Sequence, residues 1–111
     1  MKANELRTGN LINDAIKGYV VVVTVQEIKL IQNPIHAMQL KPIPLTPEWL
    51  ATLKFKEVRA HVWMKGDFGL EYFAYEGQYF SDNIEHINQL PIEYVHQLQN
   101  LYFALTGEEL I

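Results

Sequence analysis

Apolar and polar residues near the C-terminal end of the chain recur with the period of a helix. The apolar positions are spaced by four, three and four residues, which places them on one face of a 3.6-residue helix: Tyr94, Leu98, Leu101 and Leu105. The polar positions fall on another side: Glu93, Gln97 and Asn100. Pro91 suits the first helical position, and Gly107 suits a left-handed C-cap. The pattern predicts a long helix between these two residues, which must bury its apolar face against another element.

The first part of the chain has the patterns of β-strands. A short strand is predicted at 10–13, and the residues of 13–18 favour a turn. The valine-rich run 19–25 is the strongest strand prediction and is expected to be buried on both faces. Alternation predicts a third strand at 26–32, and 36–40 is a further candidate. We interpret this part as a small β-barrel of the SH3-like kind.

Proline residues and a helix start divide the chain in its middle. Pro42 and Pro44 favour an extended connector, because each proline keeps its predecessor out of the helical region. Thr46 is a suitable N-cap and Pro47 a suitable first residue. A short helix is therefore predicted at 47–53.

The following region has the pattern of a β-meander. Alternation predicts strands at 58–64 and 70–75, with a returning strand at 78–81 after a tight turn. Residues 82–90 are polar and predict a loop. The helices do not alternate regularly with the strands, which indicates an α+β fold with antiparallel strands. We predict a single domain over residues 1–111, with a subdivision near 42–47 as the alternative.

Composition and charge narrow the function classes. The 111 residues are 49% hydrophobic, include no cysteine, and carry a net charge of −4 from 13 acidic and 9 basic residues. Cysteine-ligated zinc, thiol catalysis and disulfides are excluded. No run approaches the roughly 18 apolar residues of a membrane span, and no apolar leader is present, so we expect a cytoplasmic protein without membrane contact. The acidic balance disfavours nucleic acid as a partner.

Three segments together carry a family resemblance. They are KANELRTGN at 2–10, KPIPLTPEWL at 41–50 and YVHQLQNLYFALTGEEL at 94–110, about a third of the chain. Their combination and order resemble small uncharacterised proteins of Bacteroides-type bacteria and of their phages and mobile elements. Pro47 stands where such proteins more usually have an acidic residue. The resemblance implies a bacterial or phage origin and no particular chemistry.

Histidine and carboxylate residues are the candidates for chemistry. Glu93 and His96 lie one helical turn apart, as in the carboxylate ligand sets of helix bundles, but such sites need further ligands. Asp82, Glu85 and His86 supply them only if the loop folds back. We interpret the pair as part of a solvated helix side, and we predict no metal, no cofactor and no catalytic residue. A small metal-dependent enzyme using these side chains is an alternative.

Aromatic residues are concentrated in the predicted meander, where seven fall between Trp63 and Phe80. If some of them are exposed, they form a surface for a protein partner. The proposed partner surface consists of Arg59, His61, Trp63, Phe73 and Tyr75. Packing of these aromatics in the core, or in a homodimer contact, is the alternative.

We therefore predict a non-enzymatic binding or accessory module of a phage or mobile element. Its partner would be another protein or a second copy of the chain. A nucleic-acid-binding small β-barrel, with Arg7, Lys17 and Lys29 near phosphates, is the second hypothesis.

Overall fold

Strands and helices follow one another along the chain in an order that confirms the α+β class with antiparallel strands. The computed structural model describes residues 5–33, 39–81 and 91–110. In these ranges the strands are β1 (Leu11–Asp14), β2 (Tyr19–Val22), β3 (Leu40–Lys41), β4 (Lys56–Arg59), β5 (Val62–Lys65), β6 (Phe68–Phe73) and β7 (Gln78–Ser81). The helices are α1 (Val25–Gln32), α2 (Pro47–Thr52) and α3 (Val95–Thr106).

The strands form two antiparallel sheets. The first has the order β2-β1-β3, so the described N-terminal residues form an open three-stranded sheet and not the predicted small SH3-like β-barrel. The second is a meander with the order β4-β5-β6-β7. The prediction of a three-stranded meander is wrong, because the stretch 58–64 is two strands. A turn at His61, whose φ is +64°, separates β4 from β5. The loop predicted at 82–90, and most of the strand predicted at 36–40, lie outside the described residues.

Helix α1 occupies the stretch that was predicted as the third strand. The prediction was wrong because Thr24 and Glu27 form a capping box, which satisfies amide groups at the start of a helix. The Thr24 amide donates to Glu27 Oε1 at 2.7 Å, and the Gln26 amide donates to Thr24 Oγ1 at 3.3 Å. Of the apolar side chains of α1, Ile31 is buried. The helix start also ends the valine-rich strand at Val22.

Strand β2 is an edge strand and is not buried on both faces as predicted. Tyr19 is 59% exposed and Val22 is 55% exposed, because β2 has a neighbour on one side only. A run of β-branched residues sets the strand conformation here, but the position of the strand in the sheet decides its burial.

Replacing Thr24 with alanine is expected to lower the free energy of unfolding by about 1 kcal/mol, because the helix loses an N-cap. Chemical denaturation of the variant and the wild type measures the difference. Replacement of Gln32, which is exposed at the end of α1, by alanine serves as the control and should change stability by less than about 0.5 kcal/mol. Equal stabilities for all three proteins would contradict a role for the capping box.

The predicted start of α2 and the predicted end of α3 are confirmed. Thr46 Oγ1 accepts from the Trp49 amide at 3.2 Å, and Pro47 opens α2. Gly107 caps α3 with a φ of +75°, and its amide donates to the Phe103 carbonyl at 2.8 Å. A side chain Cβ is rarely tolerated at that φ, which is why glycine suits the position.

Helix α3 begins four residues later than predicted, because Pro91 and the residues after it are extended. Gln97 Oε1 accepts from the amides of Glu93 and Tyr94, at 2.8 and 3.1 Å, and thereby caps the helix. The buried face is rotated from the predicted stripe, since Leu105 is 46% exposed. The buried residues of α3 are Val95, His96, Leu98, Gln99 and Tyr102.

The buried apolar residues form two clusters. One lies with the first sheet and α1 and contains Leu6, Ile12, Val23, Ile31 and Leu40. The larger one joins the meander to α2 and α3, and includes Leu50, Phe68, Leu70, Val95 and Leu98. The boundary between them along the chain falls between Leu40 and Ile43. Whether the chain is a single domain stays a prediction.

A buried polar junction lies where α3 meets the N-terminal segment. Gln99 Oε1 accepts from the Leu11 amide at 2.8 Å, and Gln99 Nε2 donates to the carbonyls of Gly9 and Leu110 at 3.3 and 3.2 Å. Gln99 is 2% exposed. Its side chain therefore satisfies backbone groups that the two sheets leave unpaired.

Asn100 and Arg7 extend this junction toward the surface. Asn100 Oδ1 accepts from Asn10 Nδ2 at 2.8 Å and from Arg7 Nε at 3.2 Å. Arg7 also forms a salt bridge with Glu109, with 2.7 Å between Nη1 and Oε2, and its guanidinium lies 4.3 Å from the centroid of the Phe103 ring. These contacts hold the N-terminal segment against α3.

A candidate binding cleft lined by aromatic side chains

A cleft of about 940 Å³ opens between the meander and two segments of the chain. One is 44–47, which leads into α2, and the other is the extended segment 92–94. The core-facing side of the meander forms one wall, and the two segments form the other. Its ring-bearing lining residues are His61, Trp63, Tyr72, Tyr79 and Tyr94. The cleft therefore gathers side chains from five separate parts of the fold.

Strand register explains why the meander residues share one wall. Tyr72 lies directly opposite Tyr79, and side chains of paired residues lie on the same face of a sheet. Their ring centroids are 4.9 Å apart. Trp63 pairs with Leu70, two residues before Tyr72, and so lies on that face too. His61 lies in the turn that precedes β5, and its ring centroid is 5.8 Å from that of Tyr72.

Backbone hydrogen bonds fix the opposite wall. The Ile92 amide donates to the Tyr79 carbonyl at 2.8 Å, which attaches the segment before α3 to β7. The Leu45 amide donates to the Glu93 carbonyl at 2.9 Å, which attaches the proline-containing segment to it in turn. The cleft is consequently preformed by the fold, with Pro44 on its wall.

The tyrosine hydroxyl groups in the cleft are available to a ligand. Tyr72, Tyr79 and Tyr94 make no hydroxyl hydrogen bond to any residue within the described ranges. Tyr79 is 6% exposed, and burial raises the pKa of its hydroxyl, with Tyr72 and the carboxylates of Glu48 and Glu57 acting in the same direction. This hydroxyl therefore stays protonated and can donate a hydrogen bond.

The charged residues that line the cleft are all acidic. They are Glu57, Glu76 and Glu93. Neither lysine nor arginine is among the lining residues that the structure describes. The cleft thus combines aromatic walls with negative charge.

The structure brings together only part of the predicted partner surface. His61 and Trp63 line the cleft, but Phe73 lies on the opposite face of the meander, where its ring is 4.9 Å from that of Phe80. Tyr75 is fully exposed in the turn after β6, and Arg59 is exposed at the end of β4. Trp63 and Phe73 have opposite orientations because the register, unknown from sequence, pairs Trp63 with Leu70.

Three ring-bearing residues of the cleft were missing from the predicted surface: Tyr72, Tyr79 and Tyr94. The alternating pattern of the β6 residues placed Tyr72 on the face opposite Phe73, but nothing in the sequence showed which face borders a cleft. Tyr94 was assigned to the buried stripe of the helix, whereas it lies before the first turn of α3. Its position depends on its isolated bridge with Pro44.

The candidate metal pair does not form a solvated helix side. Glu93 is exposed, but His96 is 2% exposed, so that interpretation is wrong for His96. Its ring stacks on Tyr94 with centroids 5.9 Å apart, and neither ring nitrogen has a hydrogen-bond partner among the described residues. Within the described ranges, no group of three or more histidine or acidic residues is placed to hold a metal. Asp82, Glu85 and His86 lie outside those ranges.

Burial lowers the pKa of His96, and the Glu5 carboxylate opposes this only in part. The folded protein therefore holds the ring neutral, whereas the unfolded chain takes up a proton near the ordinary value of about 6.5. As the pH falls below that value, the unfolded state gains protons first, and stability should fall by up to about 1.4 kcal/mol per pH unit. Denaturation between pH 7.5 and 5, as an approximate range set by that pKa, measures the slope.

His96→Phe should remove this part of the pH dependence, while His61→Phe, at an exposed position, should keep it. Hydrogen bonds from the Lys17 amide, from Thr24 and from Arg7 lower the pKa values of Asp14, Glu27 and Glu109, respectively, although burial opposes each shift. These carboxylates therefore weaken the fold only at more acidic pH. A slope that is unchanged in His96→Phe would assign the effect to another group.

Fold and cleft together define a small α+β protein with two antiparallel sheets and a preformed aromatic cleft. No protein-family model, curated protein or solved structure matches the chain. None of the helices within the described ranges has the length and apolar character to cross a membrane.

Proposed function

We propose that the protein is a non-enzymatic binding module, an accessory protein of a phage or mobile element, and that the aromatic cleft is its binding site for a protein partner. The observation that supports this most directly is the convergence of five ring-bearing side chains on one cleft. Ligand sites typically have volumes of roughly 300–1,000 Å³, apolar and aromatic walls and a few polar groups. The cleft, with its volume of about 940 Å³, has these properties.

The arrangement of polar groups favours binding over catalysis. Nucleophilic catalysis uses a nucleophile that is hydrogen-bonded to a base. Thr46 is the hydroxyl residue other than tyrosine in the described lining, and its oxygen accepts from the Trp49 amide as a helix cap. The lining groups are thus suited to contact a ligand.

The nucleic-acid alternative has less support. Arg7, the first of its three proposed phosphate contacts, is paired with Glu109 and hydrogen-bonded to Asn100. Lys17 lies in the β1–β2 turn and Lys29 on α1, both away from the residues that line the cleft. Phosphate binding requires basic side chains, whereas the cleft carries carboxylates.

Capture of partners from a bacterial lysate tests the proposal. A cleft variant, Trp63→Ala with Tyr72→Ala, should retain at least tenfold less of any partner that the wild type binds. The matched control, Phe73→Ala with Tyr75→Ala, also removes two aromatic side chains but leaves the cleft intact, and should bind as the wild type does.

A milder variant separates loss of the cleft from loss of the fold. Tyr72→Phe with Tyr79→Phe removes two hydroxyl groups and keeps both rings, so we expect the fold to be retained, which circular dichroism would test. Equal capture by the wild type, the cleft variant and the milder variant would contradict the proposal, as would loss of binding in the control alone.

A further inference from the structure

The carboxylates of the cleft come from three different parts of the fold. Glu57 belongs to β4, Glu76 to the β6–β7 turn, and Glu93 to the extended segment before α3. All three line the same cleft. Charges of one sign around a cleft with low-dielectric walls focus the electrostatic potential inside it. The cleft therefore attracts positive charge.

Among the residues that the structure describes, no lysine or arginine forms a salt bridge with these carboxylates. In the described part of the chain, the single salt bridge joins Arg7 to Glu109, away from the cleft. Lys65, also in the meander, donates to the Leu53 carbonyl at 3.2 Å and lies 5.5 Å from the centroid of the Tyr102 ring. The carboxylates of the cleft can therefore pair with a positively charged ligand.

The aromatic walls favour the same kind of ligand. The faces of tryptophan and tyrosine rings attract cations, most strongly where water is excluded. Trp63 and Tyr72 are half-buried, and Tyr79 is buried. Hydroxyl oxygens on the tyrosines can also accept hydrogen bonds from an ammonium or guanidinium group. Aromatic faces and carboxylates thus converge on one ligand chemistry.

We propose that the cleft binds a lysine or arginine side chain carried by an extended segment of a protein partner. This inference rests on the proposed function and specifies its ligand. A volume of about 940 Å³ accommodates several residues rather than one ammonium group. Aromatic-lined grooves are, moreover, a recurring mode of binding for extended peptides. The negative net charge of −4 complements a basic partner.

Capped hexapeptides of matched length test the ligand class, with binding measured by calorimetry on the whole chain. An alternating alanine–lysine peptide and an alanine–arginine peptide should bind, and added salt should weaken the binding. Peptides in which glutamate or norleucine replaces the basic residue should bind at least tenfold more weakly. Tetramethylammonium, a small cation without a peptide chain, should also bind at least tenfold more weakly.

Charge-matched variants test the site. Glu57→Gln with Glu76→Gln should weaken binding of the lysine peptide about tenfold. The control, Glu71→Gln with Glu108→Gln, makes the same change in net charge outside the cleft and should leave binding unchanged. The side chain of Glu57→Gln can still accept from the His61 amide, as the carboxylate does at 3.4 Å. All four positions are at least partly exposed, so the variants should fold.

The outcomes separate this inference from the proposed function. Equal binding of the norleucine and lysine peptides, lost in Tyr72→Phe with Tyr79→Phe, would overturn the basic ligand but keep the cleft as a site. Equal binding of tetramethylammonium would overturn the peptide occupant. Equal weakening by both glutamine pairs would overturn the site. If neither basic peptide bound, the inference would be overturned, and the lysate capture would still test the cleft as a binding site.

Discussion

The Gln99→Leu variant is expected to lose about 3 kcal/mol of unfolding free energy or more, because it leaves several buried backbone groups without partners. Gln99 Oε1 accepts from the Leu11 amide, and its Nε2 donates to the carbonyls of Gly9 and Leu110. Leucine is similar in size but cannot make these bonds. Urea denaturation followed by circular dichroism measures the loss.

A substitution of the same type at an exposed position supplies the control. Gln32→Leu, at the last residue of α1, should change stability by less than about 0.5 kcal/mol. If both leucine variants were equally stable, the polar junction would contribute nothing to the fold, and the attachment of α3 to the N-terminal sheet would rest on apolar contacts alone.

The Leu98→Ala variant is expected to lose about 3 kcal/mol, within the roughly 2–5 kcal/mol found for leucine truncation in protein cores. Leu98 is fully buried and packs in the larger apolar cluster. Truncation removes buried methyl groups and leaves a cavity that the surrounding side chains fill only in part. Thermal and urea denaturation measure the loss.

Leu105→Ala on the same helix is the matched control. Leu105 is 46% exposed, so its truncation should cost less than about 1 kcal/mol. The predicted stripe of α3 included both leucines equally, and the comparison therefore tests the rotation of the buried face. Similar losses for the two variants would favour the stripe that the sequence predicted.

Local signals in the sequence predicted several elements correctly. Thr46 with Pro47 marked the start of α2, and Gly107 marked the end of α3, because a cap depends on residues within one turn of the helix. The same reasoning applied to Thr24 and Glu27 would have found α1. The valine-rich run before them favoured a strand and hid the capping box.

Features that depend on distant residues could not be predicted. Gln99 and His96 are polar residues of α3, and the helical pattern alone does not predict that they are buried. Gln99 contacts the N-terminal segment, and His96 stacks on Tyr94, which precedes the helix. The cleft likewise requires the register of β5 with β6, which places Trp63 beside Tyr72. Alternation showed which residues share a face of one strand, but not how neighbouring strands align.

The polar junction also has a consequence for how the chain folds. Arg7, Asn10 and Leu11 bond with residues 88 to 102 positions later in the chain. Contacts of such sequence separation form late, because a long loop must close before they contribute. During synthesis these contacts therefore cannot form until α3 has left the ribosome. Until then, the apolar cluster of the first sheet lacks the polar contacts that attach it to the rest of the protein.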